Sequence, residues 1–444
     1  MTYQAFRPIF KSETFLSEVL GARPVMFESS FADTDDAKFY SAVPDVSLEY
    51  GISEAKRQRR FDGRVALLPQ LNLSDYTFRA VIDFVEIKAK SRGYVNWAHL
   101  SEWLKTRTQL SCSITGNGKD KVFIKVQEPD RHHLVRLLDA INEHASLSTD
   151  GNLNAVEVSI DICPTKQRLH EYLPESQRLS LVDYERMNWR MTEHLNRHFL
   201  PPQEFWDYQR GKPRSVYEDG MHWLFTRPSV DRILRSSWSS QHALMIQESH
   251  GIQFPVHLPF LQEMEPRNYR QPNVNGTTYW GEKNGDVSFR VMYKLKDNQN
   301  RGDGEFELLS AYDRRARIEV TLRGKALRDN KLENCWNIGD GLRMLRRKFF
   351  KFWIPTLPLT ADTCVSSLDL ERFQRGGVLA VLQAAKAERE RHSHLNRRVR
   401  GRRLRKGWRR MANDEHEGLQ AYTQMNKRCA DALSRTEKSW ANLD

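Results

Sequence analysis

The chain has 444 residues and a formal net charge of +12, with 69 Lys and Arg residues against 57 Asp and Glu residues. A chain of this length can bury one large domain or two ordinary domains with appendages. The five cysteines lie far apart and form no C-x-x-C pair, a pattern that supports neither a disulfide framework nor a zinc site. No export signal and no run of eighteen apolar residues is visible, so we expect a bacterial cytoplasmic protein with no membrane partner.

The first half of the chain divides into an extension and the start of a compact domain. Residues 1–75 are polar, contain the basic cluster "KRQRR", and are predicted to be an N-terminal extension. A compact domain is predicted over residues 76–330. It begins with a strand in "FRAVIDFVEIKAK", a helix in "NWAHLSEWLKTRTQL", a strand in "KVFIKVQE", a helix in "PDRHHLVRLLDAINEHA" and a strand in "NAVEVSIDICP". Residues 165–270 are predicted to form an insertion or a subdomain.

The second half of the chain supplies two more predicted strands, "VSFRVMYKL" and "RRARIEVTLRG". A helix in "GDGLRMLRRKFFKFW" and a proline-containing linker are predicted over residues 331–358. Residues 359–444 are predicted to be a basic, mostly helical C-terminal arm. The order of these elements predicts an α+β fold, in which helices pack on one face of a curved antiparallel sheet.

Two of the predicted strands carry carboxylates on their polar faces. In "AVEVSIDI", strict alternation separates the apolar side chains from Glu157 and Asp161. In "RARIEVTLRG", Glu319 alternates with apolar residues in the same way. These carboxylates either pair with basic side chains across a solvated sheet face or, if the strands are neighbours, converge on a hard divalent cation such as Mg²⁺ or Mn²⁺.

The order of the motifs resembles the replication initiators of rolling-circle plasmids and related phages, the Rep_trans type. "VEVSIDI" is similar to the acidic strand of that family, and "TTYWGEKNGD" to its YxG strand. "FRVMYKLKD" is similar to the strand with the nicking tyrosine, and "RIEVTLRG", the most specific motif, to the RxExxLRG strand. The resemblance covers Phe78 to Leu327, with residues 165–270 unmatched in detail.

This resemblance implies an enzyme that nicks and rejoins one DNA strand at an origin through a tyrosine–DNA covalent intermediate. It implies Tyr293 as the nucleophile, and Asp161, Glu319 and Glu157 as ligands of Mg²⁺ or Mn²⁺. The implied partners are single-stranded origin DNA, a host helicase and, in a homodimer, a second copy of the chain.

The role of Tyr293 has two alternatives at the level of the residues. Alternation places it on the same face as Phe289 and Val291, which predicts a core aromatic, and only a bulge would turn its hydroxyl toward the carboxylates. A phenol with a pKa of about 10 is a poor nucleophile, so a metal or a cation must stabilise the phenolate. Lys294 or Lys296 is the candidate cation.

The C-terminal arm is the most basic part of the chain. From Lys386 to Arg410 it carries twelve Lys and Arg residues against two Glu residues, which indicates a polyanionic partner or, alternatively, a solvated basic helix. The predicted DNA-binding residues are Arg317 and Arg323 in the strand motif and Arg397, Arg398, Arg402, Arg403, Arg405, Lys406, Arg409 and Arg410 in the arm. The alternative function is a non-catalytic DNA- or RNA-binding protein of a mobile element.

Overall fold

The structure is a computed structural model, and it describes residues 7–9, 25–30, 45–56, 58, 61, 64–109, 112–116, 121–165, 180–202, 225–228, 276–280, 285–294, 296–297, 307–358, 373, 377–379, 381–382 and 418–441. The strands are β1 (Arg7–Ile9), β2 (Val25–Ser30), β3 (Asp45–Glu54), β4 (Arg64–Pro69), β5 (Tyr76–Ser91), β6 (Cys112–Gly116), β7 (Lys121–Gln127), β8 (Leu147–Ser148), β9 (Leu153–Pro164), β10 (Phe225–Pro228), β11 (Gly276–Trp280), β12 (Val287–Lys294), β13 (Lys296–Asp297), β14 (Glu307–Leu308), β15 (Arg315–Arg323), β16 (Trp353–Pro358) and β17 (Leu419–Ala421). The helices are α1 (Trp97–Thr108), α2 (Arg131–Glu143), α3 (Leu181–His198), α4 (Gly324–Asp329), α5 (Ile338–Lys348) and α6 (Thr423–Ala441).

The largest sheet is antiparallel throughout and has nine strands, in the order β10, β11, β12, β15, β9, β5, β7 and β6, with β8 paired to β5. The predicted α+β class with an antiparallel sheet is therefore confirmed. Strands β9 and β15 are neighbours at the centre of this sheet, with Ile160 opposite Ile318 and Val158 opposite Val320. These apolar side chains are all buried on one face, as the alternation predicts.

A second sheet has six strands in the order β1, β2, β3, β4, β16 and β17. Residues 45–69 supply β3 and β4 to this sheet, and Val65, Ala66 and Leu67 are buried in the core. The prediction of a polar extension over residues 1–75 is wrong for this part of the chain. The strand partner of β4 is β16, which lies almost 290 residues away in sequence, so local pattern could not identify it.

Helix α3 lies between the two sheets, in contact with β9, β12 and β15 on one side and with β3 on the other. It begins at Ser180, whose side chain accepts a hydrogen bond from the backbone N–H of Asp183. Near the C-terminus of α3, the Nε2 atom of His198 forms a hydrogen bond with the Tyr50 hydroxyl of β3, at a distance of 3.1 Å. Residues 180–202 are therefore part of the core and not of an insertion, which corrects the prediction for that part of residues 165–270. The remainder of that segment lies outside the described residues except for β10.

Helices α1 and α2 both begin at a residue whose side chain caps the first turn. The side chain of Asn96 accepts hydrogen bonds from the first turn of α1, and that of Asp130 accepts one from the N–H of His133 in α2. Leu134, Leu137, Leu138 and Ile141 of α2 are buried. This single apolar stripe is the one that the periodicity predicts.

The C-terminal helix α6 is part of the fold. It packs against α5 and along the first half of β5, where Arg435 and Thr436 donate hydrogen bonds to the carbonyl oxygens of Phe78 and Ala80. These bonds satisfy strand carbonyls that have no neighbouring strand on that side. The helical prediction holds for this part of the arm. Among the residues that the structure describes, no helix is long and apolar enough to cross a membrane.

Candidate metal centre

A β-bulge in β5 places a carboxylate that strict alternation does not predict. In the pairing of β5 with β9, Ile82 lies opposite Val158 and Phe84 lies opposite Glu157, so Asp83 is an extra residue between them. A bulge of this kind changes the direction of a side chain within the strand. As a result, Asp83 and Phe84 both lie on the face of the sheet that carries Glu157.

Three carboxylates converge on this face. One carboxylate oxygen from each of Asp83, Glu157 and Glu319 lies within 4.8 Å of the other two. Glu157 and Glu319 are almost completely buried, and the side chain of Asp83 is 17% exposed. The three side chains come from β5, β9 and β15, which are adjacent strands of the nine-stranded sheet. We name them the carboxylate trio.

Arg290 of β12 connects two members of the carboxylate trio. Its Nη2 atom lies 2.6 Å from Glu157 Oε1 and also forms an ion pair with Glu319 Oε2. The second oxygen of Glu157 accepts a hydrogen bond from the Thr321 hydroxyl. The Arg290 side chain is 25% exposed. Among the cations that the structure describes in this network, Arg290 is the one that contacts both glutamates and is also partly exposed to solvent.

Arg317 neutralises Asp161 at the other end of the network. Its Nη2 donates to Asp161 Oδ2 at 2.9 Å and its Nε to Asp161 Oδ1, which makes a bidentate pair. Its Nη1 lies 2.7 Å from Asp83 Oδ1 and 3.4 Å from Glu319 Oε1. Arg315 forms a further ion pair with Asp161 at 2.9 Å.

Two predicted roles are wrong for these residues. Asp161 is not among the three carboxylates whose oxygens lie within 4.8 Å of one another, and its own two oxygens are paired with Arg317 and Arg315. Arg317 does not present its guanidinium to DNA, because it is only 1% exposed and its donors are directed at carboxylates. Glu157 and Glu319 do lie together on one face, as predicted, and Asp83 takes the position expected for Asp161.

The electrostatics of the carboxylate trio differ from one member to the next. Burial raises the pKa of Glu319 to about 7, and the charges of Glu157 and Asp83 act in the same direction, although Arg290 opposes them. Burial would also raise the pKa of Asp83, but Arg317 and Lys294 outweigh it and lower that pKa to about 2. Glu319 therefore gains or loses its proton near neutral pH, whereas Asp83 keeps its negative charge there.

The donor set fits a hard divalent cation, with one condition. Three carboxylate oxygens within bridging distance are the ligands that Mg²⁺ and Mn²⁺ prefer. However, Arg290 already lies between Glu157 and Glu319, and Arg317 Nη1 lies between Asp83 and Glu319. A cation that used all three carboxylates would have to displace both guanidinium groups from them.

Tyr293 lies on the opposite face of the sheet, so its predicted place beside the metal ligands is wrong. It is paired with Ala316, is 1% exposed, and shares the buried face with Phe289 and Val291. Its hydroxyl donates to Glu185 of α3, and the Trp189 ring meets its ring edge-on at a centroid distance of 6.2 Å. No bulge interrupts the pairing of β12 with β15, so strict alternation holds and the aromatic belongs to the core.

The other predicted site residues have different outcomes. Lys294 lies opposite Arg315, is half-buried, and lowers the pKa of Asp83 by its charge, which puts it at the edge of the site. Arg323 is half-buried at the end of β15, and its predicted contact with DNA stays a prediction. Lys296 begins the short strand β13. The predicted DNA-binding residues from Arg397 to Arg410 lie outside the described residues.

Asp83 is the functional residue that the sequence reasoning missed, although the sequence contains a signal for it. In "YTFRAVIDFVEIKAK" the buried residues occupy even positions up to Ile82 and odd positions from Val85 onward. Such a change of phase within one strand indicates a bulge. Arg290 carries no comparable signal, because its two glutamate partners become visible only once the strand order is known.

Comparison with known proteins adds no family assignment. The chain matches no protein-family model and no curated protein sequence. The inference about function therefore depends on the geometry of the carboxylate trio and of the surface around it.

Proposed function

We propose that the protein cleaves a DNA strand in a divalent-metal-dependent reaction, as a replication initiator of a mobile element, at the polar face of the nine-stranded sheet. The observation that supports this most is the convergence of Asp83, Glu157 and Glu319 from three adjacent strands, one of them through a bulge. A bound Mg²⁺ or Mn²⁺ would polarise the phosphodiester. By the family resemblance, the partners are origin DNA and a host helicase.

The residues around the carboxylate trio suit an anionic substrate. Arg290 and Lys294 are both partly exposed on this face. Released from the glutamates, the Arg290 guanidinium can bind a phosphate through two parallel hydrogen bonds. Arg317 keeps Asp161 and Asp83 in place, and it therefore acts as a positioning residue.

The attacking hydroxyl in this proposal comes from a residue other than Tyr293. In the pairing of β11 with β12, Tyr279 occupies the register position opposite Arg290. The side chain of Arg290 contacts the carboxylate trio. Tyr279 is therefore our candidate for the tyrosine that forms a covalent bond to DNA. Near neutral pH a phenol is weakly nucleophilic, so the reaction needs the cation and the basic side chains together.

A metal-binding measurement is the first test. Mn²⁺ binding to the full chain is measured by calorimetry for the wild type, Asp83→Asn, Glu157→Gln and Glu319→Gln. We expect roughly tenfold or greater loss of affinity in each variant. Glu86→Gln is the matched control, because Glu86 is a half-buried carboxylate on the same strand as Asp83 but outside the carboxylate trio.

A cleavage assay then tests the reaction. The chain is incubated with Mn²⁺ and labelled single-stranded DNA, and the cleaved strand and the covalent adduct are separated on denaturing gels. We expect loss of cleavage in Glu319→Gln, loss of the adduct in Tyr279→Phe, and wild-type behaviour in Tyr293→Phe. Adduct loss in Tyr293→Phe alone would contradict the assignment of the two faces.

The burial of Tyr293 and the position of Arg290 between two glutamates favour a second candidate, a DNA- or RNA-binding protein without catalysis. In that case the arginine–carboxylate network only stabilises the sheet. Absence of both Mn²⁺ binding and cleavage, with nucleic-acid binding retained, would support this second candidate and overturn the first.

A further inference from the structure

A lysine-rich surface lies on the same sheet face as the carboxylate trio. Strands β5 and β7 present Lys88, Lys90, Lys121 and Lys125 together with Phe123 on this face, while the alternate side chains of these strands are buried. We name these five residues the lysine face. The side chains of Lys88, Lys90 and Lys121 are exposed, and that of Phe123 is half-buried.

Like charges face one another on part of the lysine face. In the pairing of β5 with β7, Lys90 lies directly opposite Lys121. Like charges in this position destabilise a sheet. Glu86 lies directly opposite Lys125 in the same register and accepts a hydrogen bond from Asn154. Among the described residues no carboxylate forms an ion pair with Lys88 or Lys90.

Aromatic rings lie among these lysines. Phe123 is directly opposite Lys88 in the register, and the Lys125 ammonium lies 3.7 Å from the centroid of the Phe84 ring. Phe84 is buried, whereas the half-buried Phe123 ring lies between cations, where a ring can stack on a base while the cations bind phosphates. An acidic peptide or a lipid headgroup would use the lysines but would have no planar group to stack on Phe123.

The lysine face continues into the carboxylate trio. Phe84 follows Asp83 in the bulge of β5 and lies opposite Glu157 on one side and Gln127 on the other. A strand held on the lysines would therefore run along the same sheet face toward Asp83, the most exposed member of the carboxylate trio. About five strand residues separate Lys88 from Asp83, a distance of roughly 16 Å at about 3.3 Å per residue.

We propose that the lysine face binds a single strand of nucleic acid, with phosphates on Lys88, Lys90, Lys121 and Lys125 and a base stacked on Phe123. The inference rests on the proposed function, because it assumes that the substrate of the carboxylate trio is a nucleic acid. It does not require cleavage, and it does not require the basic arm.

The test measures binding of the full chain to a labelled single strand of about a dozen nucleotides, by fluorescence anisotropy with EDTA present. The double variant Lys88→Gln with Lys90→Gln should weaken binding at low salt and reduce the slope of log affinity against log salt by about 1.4. Phe123→Ala should weaken binding about tenfold with little change in that slope. The control, Lys427→Gln with Lys438→Gln, removes two exposed lysines from α6 and should leave binding close to that of the wild type.

Two results would overturn the inference. One is a double lysine variant that keeps the affinity and the salt slope of the α6 control. The other is an unchanged affinity in Phe123→Ala, together with competition by heparin or anionic vesicles that is as strong as competition by the unlabelled single strand. That result would indicate a general polyanion surface. Because metal is absent from this assay, a double lysine variant that keeps wild-type binding contradicts this inference alone. A wild-type chain that binds the strand but neither binds Mn²⁺ nor cleaves contradicts the proposed function alone.

Discussion

Strand β12 places Arg290 and Tyr293 on opposite faces of one sheet, and the two faces bury polar groups in different ways. On the polar face, Arg290 and Arg317 pair with four carboxylates from three neighbouring strands. On the face covered by α3, the Tyr293 hydroxyl and Arg314 share one carboxylate, Glu185, among packed aromatic rings. The polar face therefore holds a buried network of charges, whereas the covered face holds one polar cluster within apolar packing.

Replacement of Arg317 has the largest expected effect on the polar face. Arg317→Met leaves Asp161 and Asp83 without their main buried counter-charge, and removal of one partner from a buried ion pair typically costs about 3–5 kcal/mol. Urea unfolding of the variant would measure this loss. Arg343→Met is the control, because Arg343 pairs with Glu437 at the surface with its side chain 52% exposed. That control should leave the free energy of unfolding close to that of the wild type, because solvent screens an ion pair at the surface.

Tyr293→Phe tests the covered face. The variant keeps the ring but removes the hydrogen bond to Glu185, and loss of a hydrogen bond to a charged group should cost about 2 kcal/mol of unfolding free energy. Mn²⁺ affinity should not change, because the hydroxyl lies on the other side of the sheet. Tyr312→Phe, on a partly exposed ring near the same helix, should cost less than about 0.5 kcal/mol. A Tyr293→Phe variant with normal stability but altered Mn²⁺ affinity would contradict the separation of the faces.

A pH effect of smaller size should come from the other side of α3, where His198 contacts Tyr50 and Trp353 of the six-stranded sheet. Burial lowers the pKa of His198 to about 3, with a smaller contribution from the Arg197 charge. The unfolded chain, with an ordinary histidine pKa of about 6.5, binds a proton that the folded chain excludes. The stability contributed by neutral His198 is therefore fully present above about pH 6.5 and is lost as the pH falls toward 3, by about 1.4 kcal/mol at pH 5.5.

The comparison of urea unfolding at pH 7.5 and pH 5.5 measures this effect. His198→Gln should lose about 1.4 kcal/mol less than the wild type over this interval. His194, which is also buried and has a pKa well below its usual value, should account for a further part of the wild-type loss. His132→Gln, at an exposed position on α2, should keep the wild-type pH dependence. Equal pH dependence in His198→Gln and the wild type would show that His198 is not buried as described.

Much of the fold follows from local pattern. The stripe of leucines on α2, its Asp130 cap and the alternation of β9 and β15 are all visible in the sequence, because they depend on periods of two and 3.6 residues. The position of Tyr293 on the apolar face also follows from alternation. The prediction that it turns toward the carboxylates came from the order of motifs and required a bulge in β12 that the structure does not contain.

The sequence by itself determines which residues alternate, where the helices begin, and which carboxylates lie on polar strand faces. Only the tertiary structure decides that β5, β9, β15 and β12 are neighbours in that arrangement, that the bulge brings Asp83 to Glu157 and Glu319, and that Arg317 removes Asp161 from the carboxylate trio. The physical reason is the sequence separation over which each interaction acts. Dihedral preference and amphipathic period act over a few residues, whereas a buried charge selects its partner through space among strands that are more than a hundred residues apart in the chain.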